Sequence, residues 1–145
     1  QPVDVSALVR DALEVAREKN PAVTFEADLR PNTYVAGNEV LETAVANLLD
    51  NPVVHHDDAA TVEVSVGLAE TDDDLVAVSI RDDGPGFPEN ELAVHTNETE
   101  TPLQHSEGVG LWLSRWIVEA LDGDFSIRNG SQGGAIVTIR LPAAG

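Results

Sequence analysis

Apolar and polar positions along the chain follow two periods, and the switches between them mark out the elements. From Ser6 to Lys19, Leu8, Val9, Ala12, Leu13 and Ala16 recur at helical spacing, which predicts an amphipathic helix capped by Ser6 or Asp4 and blocked from continuing by Pro21. Val23 to Leu29 alternates as a half-buried strand does, and Tyr34-Val35-Ala36 is a second short extended piece before Gly37. Asn38 to Leu49 returns to the helical period with Val40, Leu41, Ala44, Val45 and Leu48 expected inward, and Pro52 is expected to end or kink that helix. Thr61 to Leu68 and Leu75 to Asp82 read as antiparallel neighbours joined by a turn at Thr71 to Asp74. A further helix is expected from Gly110 to Leu121, offering Leu111, Leu113, Trp116, Ile117 and Ala120 for packing and closed by Asp122-Gly123. Phe125 to Arg128 and Ala135 to Leu141 then form a strand pair across Gly130 to Gly134. The whole predicts an α+β fold: a two-layer α/β sandwich with a mixed, mostly antiparallel sheet and helices on one face.

Only the stretch from Gly84 to Glu107 lacks a sustained period, and a loop of that length inside a compact domain reads as a functional lid. The chain is therefore expected to be one domain over residues 1–145, with a lid at about 84–108. Its charge changes the picture more than its length. Eight Lys and Arg face 26 Asp and Glu, a formal charge of −18, and Lys19 is the only lysine. Self-repulsion on this scale destabilises a compact state in dilute buffer, and a screening length of about 3 Å in 1 M salt removes most of the penalty, so a high-salt cytoplasm is expected. The same imbalance argues against nucleic-acid binding, since no basic patch exists to displace phosphate counterions. It also opposes self-association at low salt, and the fragment is expected to be monomeric. The absence of cysteine excludes disulfides, thiolate metal sites and cysteine nucleophiles. No apolar run approaches the roughly 20 residues of a membrane helix, so the segment is expected to be soluble and cytoplasmic without direct membrane contact, within a parent that is compatible with a membrane anchor.

Three polar elements interrupt this core pattern. Asp82 ends an apolar strand, where an ionised carboxylate accepts hydrogen bonds only and suits an exocyclic amino group such as that of adenine; Gly84 and Gly86 keep the adjoining wall low. An acid-glycine turn with no ligand fits the same residues. Asn47 and Asn51 stand four apart on the second helix, so their amides share a face and offer hard oxygen ligands for Mg²⁺, whereas a lone Asn near a helix end is ordinarily a local capping residue. Gly108-Val109-Gly110 opens the third helix, where exposed N–H groups favour phosphate, and it equally fits a plain glycine-containing helix start. No Lys-Ser or Lys-Thr follows, so it is not a P-loop. His55-His56-Asp57-Asp58 matches no helical metal-ligand spacing and reads as a surface loop.

In this order the elements resemble the ATP-binding domain of the GHKL superfamily: gyrase, a heat-shock chaperone, histidine kinases and a mismatch-repair protein. Asn47-Leu48-Leu49-Asp50-Asn51 is similar to the N box, Asp82-Asp83-Gly84-Pro85-Gly86 to the first glycine box and Gly108-Val109-Gly110-Leu111 to the second. Gly133-Gly134 before Ile136 to Pro142 is similar to the closing strand of the kinase members. The resemblance implies that Asp82 binds adenine, that Asn51 coordinates Mg²⁺, and that Gly108 and Gly110 let a lid fold over the phosphates, with Val109 and Leu111 in the same motif. His55 falls where kinases often carry an aromatic residue against the nucleotide. Hydrolysing members carry a Glu one turn before the Mg²⁺-binding Asn; here that position is Asn47, no useful proton acceptor at neutral pH. Phosphoryl transfer requires mainly positioning and charge stabilisation, so the resemblance implies the catalytic domain of a haloarchaeal-type sensor histidine kinase, taking ATP and Mg and passing the γ-phosphoryl group to a histidine on a dimerisation domain, and thence to a response regulator. The chain departs from the pattern at Val54, where kinases usually carry Lys or Arg, at Pro52, and in a segment from Phe87 to Glu107 without Lys or Arg. Arg115 serves the phosphates only if it faces inward. These departures keep open an alternative, a non-catalytic signalling module of the same fold with weak or no ATP binding.

Overall fold

The computed structural model describes residues 2–37, 39–54, 61–69, 72–83, 109–131 and 134–144, with backbone alone at 50–54, 72–73 and 109–112. In chain order these form β1 (Pro2–Asp4), α1 (Val5–Lys19), β2 (Thr24–Leu29), β3 (Tyr34–Ala36), α2 (Val40–Val54), β4 (Thr61–Ala69), β5 (Asp72–Asp82), α3 (Val109–Ala120), β6 (Asp124–Asn129) and β7 (Ala135–Pro142). The principal sheet has the order β2-β4-β5-β7-β6. Its β2–β4 pair is parallel, which requires the long crossover through β3 and α2; the other three pairs are antiparallel. β1 and β3 form a separate two-stranded antiparallel ribbon. The mixed, mostly antiparallel sheet is as the pattern predicts.

Strand alternation sorts the side chains. Val62, Val64 and Val66 on β4, Val76, Val78 and Ile80 on β5, and Val137, Ile139 and Leu141 on β7 are buried in one cluster with Val9 and Leu13 of α1, Leu41, Val45 and Leu48 of α2, and Val118 of α3. Each fully buried Leu or Val in that layer contributes about 1.5–3 kcal/mol relative to exposure, which drives the described helices to one face. Asp4 provides the cap of α1, its carboxylate accepting the Ala7 N–H at 3.1 Å; Ser6, the other candidate, instead turns its hydroxyl to the Arg30 carbonyl. Among the described residues no helix is long and apolar enough to cross a membrane.

Several local expectations are corrected. α2 runs through Pro52 and ends two residues later, at Val54, so of the two expected outcomes the proline does not itself end the helix; a proline this close to a C-terminus deletes one N–H bond and leaves those of the next residues available. Val40 opens α2 and is 47% exposed instead of inward. The acidic residues Asp72 to Asp74 belong to β5, Asp72 pairing with Ala69 across a register shift, so they are not the turn. The largest difference concerns α3. Its buried residues include Ser114, Arg115, Ile117 and Val118, whereas Leu113 and Trp116 are 40% and 49% exposed and Ala120 is exposed. Two apolar stripes run along this helix, and the neighbouring α2 selects between them: Ser114 donates its hydroxyl to the Ala44 carbonyl at 3.1 Å. Small residues at both positions let the two helices approach.

Candidate functional site

The row Val76, Val78, Ile80 along β5 continues, two residues on, to Asp82, so the period of a strand aims this carboxylate toward the helical layer. Asp82 is 5% exposed. An acid held there needs donors to offset its desolvation, and one is the Ala135 N–H, 3.2 Å from Oδ1. The β5–β7 register ends at Arg81↔Ile136; one residue further, the side chain of Asp82 replaces the backbone as the link between strands. Gly134 approaches from β7 with φ +85, and a Cβ on it would lie 2.1 Å from the Asp82 carbonyl oxygen. The next acid ties the other flank, since Asp83 Oδ1 accepts the Thr61 N–H of β4 at 3.1 Å. The end of the central strand is thus braced on both sides by its own carboxylates.

α2 lies on the same side of the sheet as Asp82 and packs against β5 and α3. Asn47 is half-buried, beside the fully buried Leu48 and Leu49. Asn51 follows one turn later on α2, described in its backbone. Val109, Gly110 and Leu111 form the first turn of α3, again as backbone, where N–H groups lack intrahelical acceptors. His55, Gly84, Gly86 and Gly108, and with them the expected lid at about 84–108, lie outside the described residues. Arg115 is buried, and its Nε meets Glu119 at 3.3 Å. The structure therefore brings the carboxylate-bearing strand end and the helix bearing both amides together on one side of the sheet.

Two concavities, of about 550 and 540 Å³, lie on the face of the sheet opposite the described helices, both lined among others by Ser65, Ser79 and Arg128. Neither is lined by Asp82, and they are separate from the site built here. Sequence reasoning missed Thr61, Gly134 and Ala135 as partners of the two acids. The Gly133-Gly134 pair was a signal that backbone passes close to something, but its neighbour Asp82 lies 53 positions away from Ala135 and only pairing of β5 with β7 reveals it.

Residues 37–145 match the family model described as histidine kinase-, DNA gyrase B- and HSP90-like ATPase. Among curated relatives, the sensor protein FixL of Bradyrhizobium diazoefficiens is 28% identical over 97% of this chain, and the adaptive-response sensory kinase SasA of Synechocystis is 31% identical over 98% of it. The chain spans 28% of the length of the first and 39% of the second. Among solved structures, the ATP binding domain of PrrB from Mycobacterium tuberculosis superposes with a TM-score of 0.77 at 27% identity, covering 99% of this chain and 97% of that one. The mycobacterial sensor histidine kinase MprB shares the fold at a TM-score of 0.81 and 24% identity, with 99% and 98% covered.

Proposed function

Because the chain belongs to the family of histidine kinase-, DNA gyrase B- and HSP90-like ATPases, we propose that it is the ATP-binding catalytic part of a two-component sensor histidine kinase, moving the γ-phosphoryl group of ATP to a histidine on a dimerisation domain, from which a response regulator aspartate receives it. The observation that carries this reading is the buried carboxylate of Asp82 at the end of the central strand, on the side of the sheet covered by α2.

The residues fit a purine triphosphate by donor chemistry. Asp82 accepts from the adenine amino group, in a site dry enough for one hydrogen bond to discriminate. Asn51 presents a hard amide oxygen suited to Mg²⁺, and when bound the cation neutralises triphosphate charge during transfer. Asn47, being no base, leaves water unactivated, which favours transfer over hydrolysis. The first turn of α3 from Val109 to Leu111 directs N–H groups at phosphate; the resemblance adds Gly84, Gly86, Gly108 and His55 to the residues that take the nucleotide. The charge of −18 supports a high-salt cytoplasm of haloarchaeal type as the working environment.

Calorimetric titration of Mg-ATP into the chain in concentrated salt tests the reading. Saturable binding is expected, weakened about tenfold or more in Asp82→Asn, as loss of a hydrogen bond to a charged group implies. Unchanged affinity in that variant defeats the assignment of Asp82. Absence of binding by the unaltered chain favours the non-catalytic module, a reading supported by Val54 and by a segment from Phe87 to Glu107 without Lys or Arg.

A further inference from the structure

We infer that Gly134 is a positioning residue for the nucleobase: it lets β7 pass close enough to the end of β5 for the Ala135 N–H to hold the Asp82 carboxylate in the orientation that reads the amino group of adenine. The inference deepens the proposed role of Asp82 and rests on it.

Two independent features of position 134 require glycine. Its φ of +85 is a conformation that L side chains rarely adopt. Its missing Cβ is also the space that the Asp82 carbonyl oxygen occupies, 2.1 Å from where that atom would stand, with the Asp82 carbonyl carbon at 3.2 Å and the Asp83 Cα at 3.6 Å. These contacts are backbone, so no rotamer change relieves them. The approach is fixed from the far side too, because Gly130 donates its N–H to the Gly134 carbonyl at 2.9 Å and closes the β6–β7 hairpin. The consequence is local to Asp82. Its backbone is paired with Val62 on the β4 side, while toward β7 the backbone register has already ended at Arg81, and the side chain meets β7 through the 3.2 Å bond from Ala135. A carboxylate at a strand end has two torsions to settle, and a donor on a hydrogen-bonded strand narrows both; a site that reads one amino group needs that alignment to within about 0.5 Å.

The experiment compares the affinities of ATP and of purine riboside triphosphate, which lacks the exocyclic amino group, for the wild-type chain, Gly134→Ala and Ala135→Pro. The first substitution pushes β7 away, and the second removes the donor N–H without adding a Cβ at position 134, at a strand start where proline is tolerated. The wild type is expected to prefer ATP by about tenfold or more, as for a hydrogen bond to a charged group. Both variants are expected to bring that ratio toward one while binding the analogue within about twofold of wild type. Parallel weakening of both nucleotides, or an unchanged ratio, overturns the inference, since a merely structural glycine does not distinguish the two ligands. Asp82→Asn separates the layers. If it collapses the ratio while the two variants preserve it, the base-reading role stands and the positioning role falls; if it leaves the ratio unchanged, or if the wild type shows no preference for ATP, both fall. Should neither variant fold, hydrogen exchange at the Ala135 amide decides: protection lost in Asp82→Ala supports the bond, and protection retained overturns it.

Discussion

At the scale of single residues, neighbours that look interchangeable in the sequence have opposite reasons for being there. Asp122-Gly123 reads as a unit that ends a helix, and the expected division of labour would give the left-handed conformation to glycine. The reverse holds. Asp122 has φ 63, while the N–H groups of Asp122 and Gly123 close a Schellman arrangement on the carbonyls of Glu119 and Val118 at 3.1 and 2.9 Å. Gly123 is small for another reason: a Cβ there would lie 2.6 Å from the Arg140 carbonyl oxygen, 2.7 Å from Leu141 Cδ2 and 2.8 Å from Val118 Cγ1. Gly123→Ala is therefore expected to destabilise by about 1–3 kcal/mol, the cost of overpacking. Asp122→Gly is expected to be neutral or stabilising, by up to about 1–2 kcal/mol, because it relieves a left-handed non-glycine residue. Urea unfolding of the two variants against wild type checks the pair, and an equal loss in both contradicts this account. Asp82 is legible in the same partial way. A strand running into an acid and then glycines points to a carboxylate at a wall, but the donors to Asp82 and Asp83 come from Ala135 and Thr61, which no local pattern connects to them.

Among elements, the helices differ in how far their apolar pattern determined their orientation. α1 has one stripe, and Val9, Ala12, Leu13 and Ala16 are buried as their spacing predicts. α3 has two, and the stripe containing Leu113 and Trp116 faces out. The choice follows from the fit of Ser114 against Ala44 of α2, a contact between positions 70 apart. Ser114→Ala is expected to cost about 0.5–1.5 kcal/mol, the net value of one hydrogen bond. Ser114→Leu has to force the helices apart, so the expected cost rises to at least about 1–3 kcal/mol. Thermal unfolding ranks the two, and a leucine tolerated as well as alanine argues against close α2–α3 packing. Because α2 carries Asn47 and Asn51 and α3 begins at Val109, in the stretch that resembles the second glycine box, the same pair is expected to shift nucleotide affinity in that order.

For the whole molecule, charge and core act through different parts of the chain. A core shared by three helices and the inward rows of β4, β5, β6 and β7 holds the fold, while a surface carrying most of a −18 charge works against it. Raising NaCl from about 10 mM to about 1 M shortens the screening length from about 30 to about 3 Å. The melting temperature is expected to climb by several degrees over that range, and a flat or falling curve opposes the high-salt setting. What the sequence determined by itself was whatever depends on near neighbours or on summed composition: helix and strand periods, the α+β class, the sign and size of the charge, and three polar boxes whose order resembles a nucleotide-binding family. Tertiary structure decided whatever depends on contacts between distant positions: the outward stripe of α3, the space reserved at Gly123 and Gly134, and the donor that holds Asp82. The division is physical. A side chain's period is set by its own backbone, whereas the face that loses water, and the atom that fills the gap beside it, are set by another part of the chain.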